Sequence, residues 1–186
     1  MKIIIINGSH RQGNSDLMIA ELEKTGKDLG LKIDELRLRK IEIKLPDGCE
    51  HCAESERCPN VKDEFEEKWL EKLGKYDGYI LVTPTWCDGP TPLTKIFIDR
   101  IVCFCHPDRM WWKDKKIGII THGMAGEKSW QMVINWIKSV CVWMEAKFIG
   151  SYAFKSNGKV GTAKFSKEKL REFLQKTTTK SNGRYN

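Results

Sequence analysis

The chain has 186 residues, 40% of them hydrophobic, so we expect one domain with a substantial core rather than two domains. Its formal net charge is +7, but 32 basic residues are interspersed with 25 acidic ones, which favours a solvated surface over a nucleic-acid-binding face. No apolar run approaches the roughly 20 residues of a membrane span, and the N-terminus lacks a signal-peptide pattern, so we predict a cytoplasmic protein that binds neither membrane nor nucleic acid.

Short strand-like segments alternate with longer segments of helical spacing along the chain. The predicted strands are residues 2–7, 32–41, 77–83, 116–121 and 146–154. The predicted helices are residues 15–30, 62–74, 91–105, 127–145 and 166–176. Because a parallel crossover needs a helix-length connection, we expect a parallel sheet covered on both faces. The sequence therefore predicts a single α/β domain with a flavodoxin-like, doubly wound fold of five strands in the order 2-1-3-4-5.

The first predicted helix has recognisable signals at both ends. Asn14 or Ser15 can cap its start, and Gly30 can end it. Its spacing places four residues near the buried face: Leu17, Ala20, Leu22 and Leu29.

Three turns follow strands at the carboxyl edge of the predicted sheet, where open parallel sheets bind ligands. They read NGSHRQGNS (7–15), TPTWCDGP (83–90) and THGMAGEKS (121–129). Because all three end at the same edge, we expect them to form one site.

The first turn has the spacing of a nucleotide phosphate loop, with Asn14 in the position of the lysine. The amides at the start of the following helix attract an anion, and Ser9, Arg11 and Ser15 add donors. The third and fourth strands run into threonine rather than into an aspartate that could hold magnesium. The turn therefore favours one terminal phosphate monoester, bound without a metal, over a triphosphate.

The second and third turns have features of a ring-binding site. Pro84 and Pro90 stiffen the second turn, and Trp86 either faces a heteroaromatic ring or packs on the helix below. In the third turn, His122 either bonds a ring carbonyl or donates a proton, or it is a solvated turn residue.

The three turns, in order and spacing, resemble the flavin loops of the NAD(P)H-dependent FMN reductase family over most of residues 1–150. This resemblance implies FMN as cofactor and NAD(P)H as co-substrate. It implies that the phosphate contacts the first turn and that the ring lies against residues 84–89 and 121–123. The implied cofactor-binding residues are Ser9, His10, Arg11, Gly13, Asn14, Ser15, Pro84, Thr85, Trp86, Cys87, Asp88, Gly89, Thr121, His122 and Gly123.

An insert at residues 45–62, LPDGCEHCAESERCPNVK, is too long for an ordinary connection in such a sheet. A cysteine-rich insert at this place is similar to that of the iron-sulfur flavoproteins, a branch of the same family. This chain departs from their pattern, since Ser55 stands where a third cysteine is expected and only Cys49, Cys52 and Cys58 remain. We expect the insert to form a surface loop without a resident metal.

Three alternatives remain for these thiols. A four-iron cluster normally takes four thiolates, so an intact cluster would need an outside ligand. Zinc would require His51 as a fourth ligand. His51 is adjacent to Cys52, and the side chains of adjacent residues rarely point at one ion. We favour free or redox-active thiols over a cluster, and a cluster over zinc.

The other four cysteines fall in two groups. Cys103, Cys105 and Cys141 lie on apolar helical stretches, so we expect them to be buried packing residues. Cys87 differs because it lies within the ring-facing turn.

The resemblance implies an oxidoreductase that passes a hydride from NAD(P)H to FMN and electrons on to a quinone, flavin, metal or other small acceptor. Because the flavin carries the chemistry, no catalytic side chain is required, and His122 is the candidate if one exists. One alternative is a flavoprotein electron carrier that docks on redox proteins. A weaker alternative is a nucleotide or nucleic-acid binder that uses the basic tail, residues 176–186.

Aromatic residues near the ligand edge indicate a subunit interface, because large exposed apolar patches usually mark one. Related flavoproteins are similar in placing the flavin near a subunit boundary, so we expect a homodimer or homotetramer. The aromatic residues concerned are Trp86, Phe104, Trp111 and Trp112.

Overall fold

A computed structural model describes residues 1–49, 51, 58, 60–102 and 112–178. These residues form a five-stranded sheet in the order β2-β1-β3-β4-β5, with every neighbouring pair parallel. The predicted fold and strand order are therefore confirmed. The strands are β1 (Lys2–Asn7), β2 (Lys32–Arg37), β3 (Gly78–Pro84), β4 (Lys116–Gly123) and β5 (Lys147–Lys155).

Helices connect successive strands, as the parallel order requires. A π-helical segment, Phe65–Leu70, runs directly into α2. Among the described residues, no helix combines the length and the apolar character that a bilayer span needs. The α-helices are α1 (Asn14–Asp28), α2 (Glu71–Leu73), α3 (Pro92–Val102), α4 (Glu127–Trp143) and α5 (Lys167–Thr178).

The alternation of side chains along β1 explains why both faces of the sheet are covered. Ile4 and Ile6 belong to a buried cluster that includes side chains of α3 and α4, whereas Ile3 and Ile5 belong to a second cluster with α1 and α5. Successive strand residues point to opposite faces, so an all-apolar strand needs cover on both. The sheet is thus the middle layer of three.

The buried face of α1 differs from the predicted one. Leu22 is buried as expected, but Leu17 is 45% exposed and Ala20 is also exposed. A Cβ atom at Gly26 would overlap Ile33 Cδ1, so α1 approaches β2 through its small residues. The prediction considered only the aliphatic residues and therefore misplaced the contact face. The residues that α1 buries are Asn14, Ser15, Met18, Ile19, Leu22, Thr25 and Gly26.

β2 ends at Arg37, four residues earlier than predicted, and a 3-10 turn over Leu38–Lys40 follows it. Leu38 is fully buried, and Arg39 donates a hydrogen bond to Asp16 at 2.5 Å. These two contacts hold the chain against the core and α1 instead of extending the strand.

The insert, residues 45–62, leaves and rejoins the domain through a closed stem. The Lys44 amide donates to Asp63 Oδ2 at 2.8 Å, and Lys44 Nζ donates to the carbonyl of Lys62 at 3.1 Å. One turn further in, the Phe65 amide donates to the carbonyl of Glu42 at 3.1 Å. These bonds therefore hold the two ends of the insert close together.

Trp112 corrects one prediction about exposed aromatics. It is 1% exposed and contacts Tyr79 and Phe97, with ring centroids 5.3 and 6.5 Å apart. Its large apolar surface fills space in the core rather than forming an interface. Phe104 and Trp111, like Cys103 and Cys105, lie outside the described residues, whereas Cys141 is buried as predicted.

Candidate functional site

The three predicted turns meet around a cavity of about 450 Å³ beyond the carboxyl ends of β1, β3 and β4. Most of the residues implied for cofactor binding contribute to its lining. Cys87, Asp88, Gly89 and Thr121 are outside the lining. The lining residues are Ser9, His10, Arg11, Gly13, Asn14, Ser15, Pro84, Thr85, Trp86, His122, Gly123, Met124, Ser156 and Gly158.

The N-terminus of α1 opens into this cavity, and Asp16 fixes its geometry. The carboxylate of Asp16 accepts a hydrogen bond from the Gly13 amide at 2.8 Å. By helix geometry, the amides of Asn14 and Ser15 have no acceptor within the helix. They and the positive end of the helix dipole therefore provide a binding site for an anion.

The start of the first turn packs tightly against α3. Thr91 Oγ1 donates to the carbonyl of Gly8 at 2.6 Å, and a Cβ atom at Gly8 would overlap Thr94 Oγ1. The Ser9 amide donates to Asn7 Oδ1 at 3.1 Å. Glycine at position 8 is thus required by this close approach.

The polar side chains of the first turn hold a segment that the sequence analysis missed. This segment, the strap, comprises residues 156–161 after β5. Arg11 Nη2 donates to the carbonyl of Gly158 at 2.6 Å, and Asn14 Nδ2 donates to the carbonyl of Lys159 at 2.9 Å. The Gly161 amide donates to Asn14 Oδ1 at 3.0 Å. The side-chain amide of Asn14 is therefore occupied by the strap, whereas its backbone N–H is not. Arg11, with five N–H donors, can bind a further acceptor.

The second turn is a tight bend on the rim of the cavity. Trp86 and Gly89 exchange backbone hydrogen bonds of 2.9 and 2.8 Å, and Cys87 and Asp88 between them have φ values of 45° and 62°. The residues in the left-handed region are thus Cys87 and Asp88 rather than the glycine that follows them at position 89. Trp86 is half exposed and stacks on His10, with ring centroids 4.8 Å apart.

His122 is buried rather than a solvated turn residue. Its Nε2 lies 2.8 Å from Ser15 Oγ and its Nδ1 lies 2.8 Å from Ser156 Oγ. The ring stacks on Phe154 with 4.9 Å between centroids. Burial, and secondarily the charge of Arg11, lowers the pKa of His122 to about 4. The imidazole is therefore neutral near pH 7, so it does not provide a protonated acid there.

Thr121 lies behind the cavity instead of in its lining. It is fully buried, and its hydroxyl is 2.8 Å from that of Thr85, which does line the cavity. Thr121 therefore supports the second turn from the neighbouring strand.

The strap contributes Ser156 and Gly158 to the lining, and the third turn contributes Met124. The sequence contains a signal for the strap: β5 ends at the same sheet edge as the other strands, and SNGKVG has turn-forming residues. Asn157 accepts a hydrogen bond from the Lys159 amide at 3.1 Å, which stabilises the turn. The turns after β1, β3 and β4 were predicted from the sequence, whereas the turn after β5 was not.

Cys49 and Cys58 of the insert are described, whereas Cys52 and Ser55 lie outside the described residues. Cys58 is 6% exposed, so at this residue the expected surface loop is wrong. Its sulfur accepts a hydrogen bond from the Val61 amide at 3.3 Å. In the described part of the chain, no group of three His, Cys, Asp or Glu side chains is arranged to hold a metal ion.

The sequence of the chain matches one family and several flavoproteins. The family model described as NADPH-dependent FMN reductase matches residues 1–160. An iron-sulfur flavoprotein of Archaeoglobus fulgidus is 32% identical over 100 residues, 54% of this chain and 48% of that protein. One of Clostridioides difficile is 29% identical over 160 residues, 84% of this chain and 68% of that protein. The chain spans about half the length of the first curated relatives it matches.

Solved structures show the same fold at low sequence identity. A crystal structure of RosB with bound 8-demethyl-8-formylriboflavin-5'-phosphate has a TM-score of 0.74 at 13% identity and covers 95% of this chain and 77% of that chain. Oxidised flavodoxin 1 of Bacillus cereus has a TM-score of 0.58 at 16% identity, with 95% and 97% covered. The flavodoxin-like architecture is thus supported by comparison as well as by strand order.

Proposed function

Because the chain belongs to the NADPH-dependent FMN reductase family, we propose that it is an FMN-dependent oxidoreductase. In this proposal the protein takes a hydride from NADH or NADPH and passes electrons to a quinone, flavin, metal or other small acceptor. The observation that carries the proposal is the convergence of three separate turns on one cavity of about 450 Å³ at the carboxyl edge of the sheet. This is where doubly wound folds bind their cofactors.

The cavity fits a phosphorylated flavin in volume and in chemistry. Small-molecule sites typically measure about 300 to 1,000 Å³ and combine apolar walls with a few polar groups. Here the polar groups gather at the α1 N-terminus, where Arg11 and the amides of Asn14 and Ser15 would hold the phosphate. Pro84 and Trp86 form an apolar and aromatic wall that would hold the ring.

When bound, FMN supplies the hydride-accepting and electron-donating chemistry. The chain binds and orients it. Thr121 holds Thr85 in the ring-side wall, and the short bend of residues 86–89 fixes Trp86 at the rim. Met124 and Trp86 line the cavity and are 67% and 50% exposed, so they leave apolar surface for a second flat substrate.

The proposal is tested with freshly purified protein. Its absorption spectrum should show flavin, and the released cofactor should be FMN. Steady-state oxidation of NADPH or NADH with a quinone acceptor should depend on that flavin. Absence of flavin binding by apoprotein titrated with FMN would contradict the proposal, whereas flavin binding without turnover would leave the electron-carrier alternative.

The alternative function is that of an electron carrier docking on redox proteins. The matched relatives are named iron-sulfur flavoproteins. The N–H···S hydrogen bond from Val61 to Cys58 is of the kind that tunes cluster sulfurs. Iron and acid-labile sulfide assays after anaerobic reconstitution, together with NADPH turnover, separate the two functions.

We also propose that the chain forms a homodimer or homotetramer, as the family resemblance implies. Of the four aromatic residues first associated with an interface, Trp86 is 50% exposed and Trp112 is buried. Light scattering at micromolar concentration tests the assembly, and a monomer would contradict it.

A further inference from the structure

A buried chain of hydrogen bonds runs through the cavity lining from α1 to the strap. Ser15, His122 and Ser156 are 1%, 5% and 5% exposed. Each serine hydroxyl lies 2.8 Å from a different nitrogen of the imidazole. These two hydrogen bonds therefore connect the first turn, the end of β4 and the strap through the His122 ring.

A neutral imidazole has one N–H donor and one acceptor nitrogen, so the two serines cannot play the same role. In the first arrangement, Nε2–H donates to Ser15 and the Ser156 hydroxyl donates to Nδ1. In the second arrangement, the Ser15 hydroxyl donates to Nε2 and Nδ1–H donates to Ser156. Only the first leaves the Ser15 proton free to bond an anion in the cavity. Heavy-atom positions alone are compatible with both.

The His122 ring is held in one plane and in its neutral form, so the tautomer decides the direction of both hydrogen bonds. Phe154, itself 4% exposed, stacks on His122 with an interplanar angle of 16°, which fixes the plane of the ring. Burial and the nearby charge of Arg11 disfavour the imidazolium, so the tautomer rather than the charge is the variable near pH 7.

We propose that His122 is a positioning residue whose Nε2–H tautomer turns the Ser15 hydroxyl proton toward the phosphate of bound FMN. The inference rests on the proposed function for the identity of the ligand. A phosphate that accepts the Ser15 proton leaves Ser15 Oγ as an acceptor, and the Nε2–H tautomer supplies the matching donor. Ser156 completes the arrangement by donating to Nδ1.

Two conservative substitutions of His122 distinguish the roles of the two ring nitrogens, because each keeps a hydrogen-bond donor near only one of them. His122→Gln places an amide donor near the Nε2 position, whereas His122→Asn places one near Nδ1. Apoprotein is titrated with FMN and with riboflavin, which lacks the phosphate. We expect His122→Gln to retain most of the FMN affinity and His122→Asn and Ser15→Ala to lose roughly 10- to 100-fold, the range of a hydrogen bond to a charged group. In His122→Asn and Ser15→Ala, riboflavin affinity should fall by a clearly smaller factor than FMN affinity, because riboflavin lacks the phosphate.

A double-mutant cycle adds a readout that a merely structural role would not give. If His122 acts through Ser15, adding His122→Asn to Ser15→Ala should cause no further loss of FMN affinity. Additive losses, equal losses in the Gln and Asn variants, or a parallel loss of riboflavin binding would each overturn the inference.

Nitrogen-15 NMR of the wild-type imidazole reads the tautomer directly and does not depend on the stability of any variant. We expect Nε2–H in the FMN complex, and Nδ1–H there would overturn the inference. If wild-type apoprotein binds neither flavin, the proposed function fails together with this inference. If it binds FMN tightly but shows the Nδ1–H tautomer, this inference alone fails.

Discussion

Arg100 of α3 and Asp63, just before the π-helical segment, form an ion pair buried inside the domain. Nη1 lies 2.5 Å from Oδ2, and the two side chains are 1% and 0% exposed. The same Asp63 accepts the Lys44 amide, and Arg100 Nη1 also donates to the carbonyl of Lys44 at 3.2 Å. This pair thus fixes both ends of the insert stem to α3, the helix that follows the second turn.

Removal of Asp63 should strongly destabilise the fold. Asp63→Ala leaves the Arg100 guanidinium buried without its main partner, for which we expect a loss of about 3 to 5 kcal/mol in the free energy of unfolding. Urea denaturation followed by far-UV circular dichroism measures it.

The matched control is Asp99→Ala, which removes a carboxylate from the same region. Asp99 pairs with Lys95 at 2.6 Å, but these side chains are 35% and 52% exposed. The loss there should stay below about 1 kcal/mol. Similar losses in the two variants would show that the buried pair has no special role.

His122 should make the stability depend on pH between about 4 and 6.5. Its pKa in the folded protein is lowered from 6.5 to about 4, so the unfolded chain binds more protons than the native one in this range. The stability present above pH 6.5 is therefore lost as the pH falls, by a total on the order of 3 kcal/mol.

Urea unfolding of wild type and His122→Gln at several pH values isolates this contribution from the carboxylates, which titrate in both proteins. The difference between the two stability curves should change steadily from pH 6.5 to 4. A difference that is constant with pH would contradict the assignment.

Arg11→Ala should weaken FMN binding by roughly 1.5 to 3 kcal/mol, the scale of a hydrogen bond to a charged group. Arg11 lines the cavity at the α1 N-terminus and is held there by the carbonyl of Gly158. Titration of apoprotein with FMN measures the change. Arg171→Ala, on the exposed side of α5, alters the net charge equally and should have little effect. Unchanged affinity in Arg11→Ala would exclude a phosphate contact.

The insert cysteines should be dispensable for the flavin. We expect aerobically isolated protein to contain FMN with little or no stoichiometric iron, and Cys49, Cys52 and Cys58 replaced together by serine to leave FMN binding intact. Serine at position 58 keeps an acceptor near the Val61 amide. Iron and sulfide assays after anaerobic reconstitution are decisive, since about four irons per chain would show a cluster.

The architecture could be predicted because each strand is recognisable from its own short stretch of sequence. Runs such as KIIIIN and KIGIIT have isoleucine or glycine at every position between their polar ends, which indicates burial on both faces. The helix-length connections between such runs favour parallel pairing. The same logic brought the turns after β1, β3 and β4 to one edge, where they line one cavity.

Individual side chains were harder to place. The sequence around Trp112 and Cys58 does not indicate that they are buried. Contacts with residues distant in the sequence bury them, such as the contact of Trp112 with Tyr79. The predicted contact face of α1 was wrong for a related reason. Gly26 packs closely against Ile33, and the periodicity of large apolar residues does not reveal a contact made by a glycine.

By itself, the sequence determined the fold class, the strand order and the three turns, since hydrophobic period and turn residues act over short distances. The tertiary structure alone decided what those turns touch. Asn14 is bound by the strap from residues about 145 positions away, and His122 joins Ser15 to Ser156. Such hydrogen bonds depend on distances of a few ångströms between segments far apart in the chain, and no local pattern encodes them.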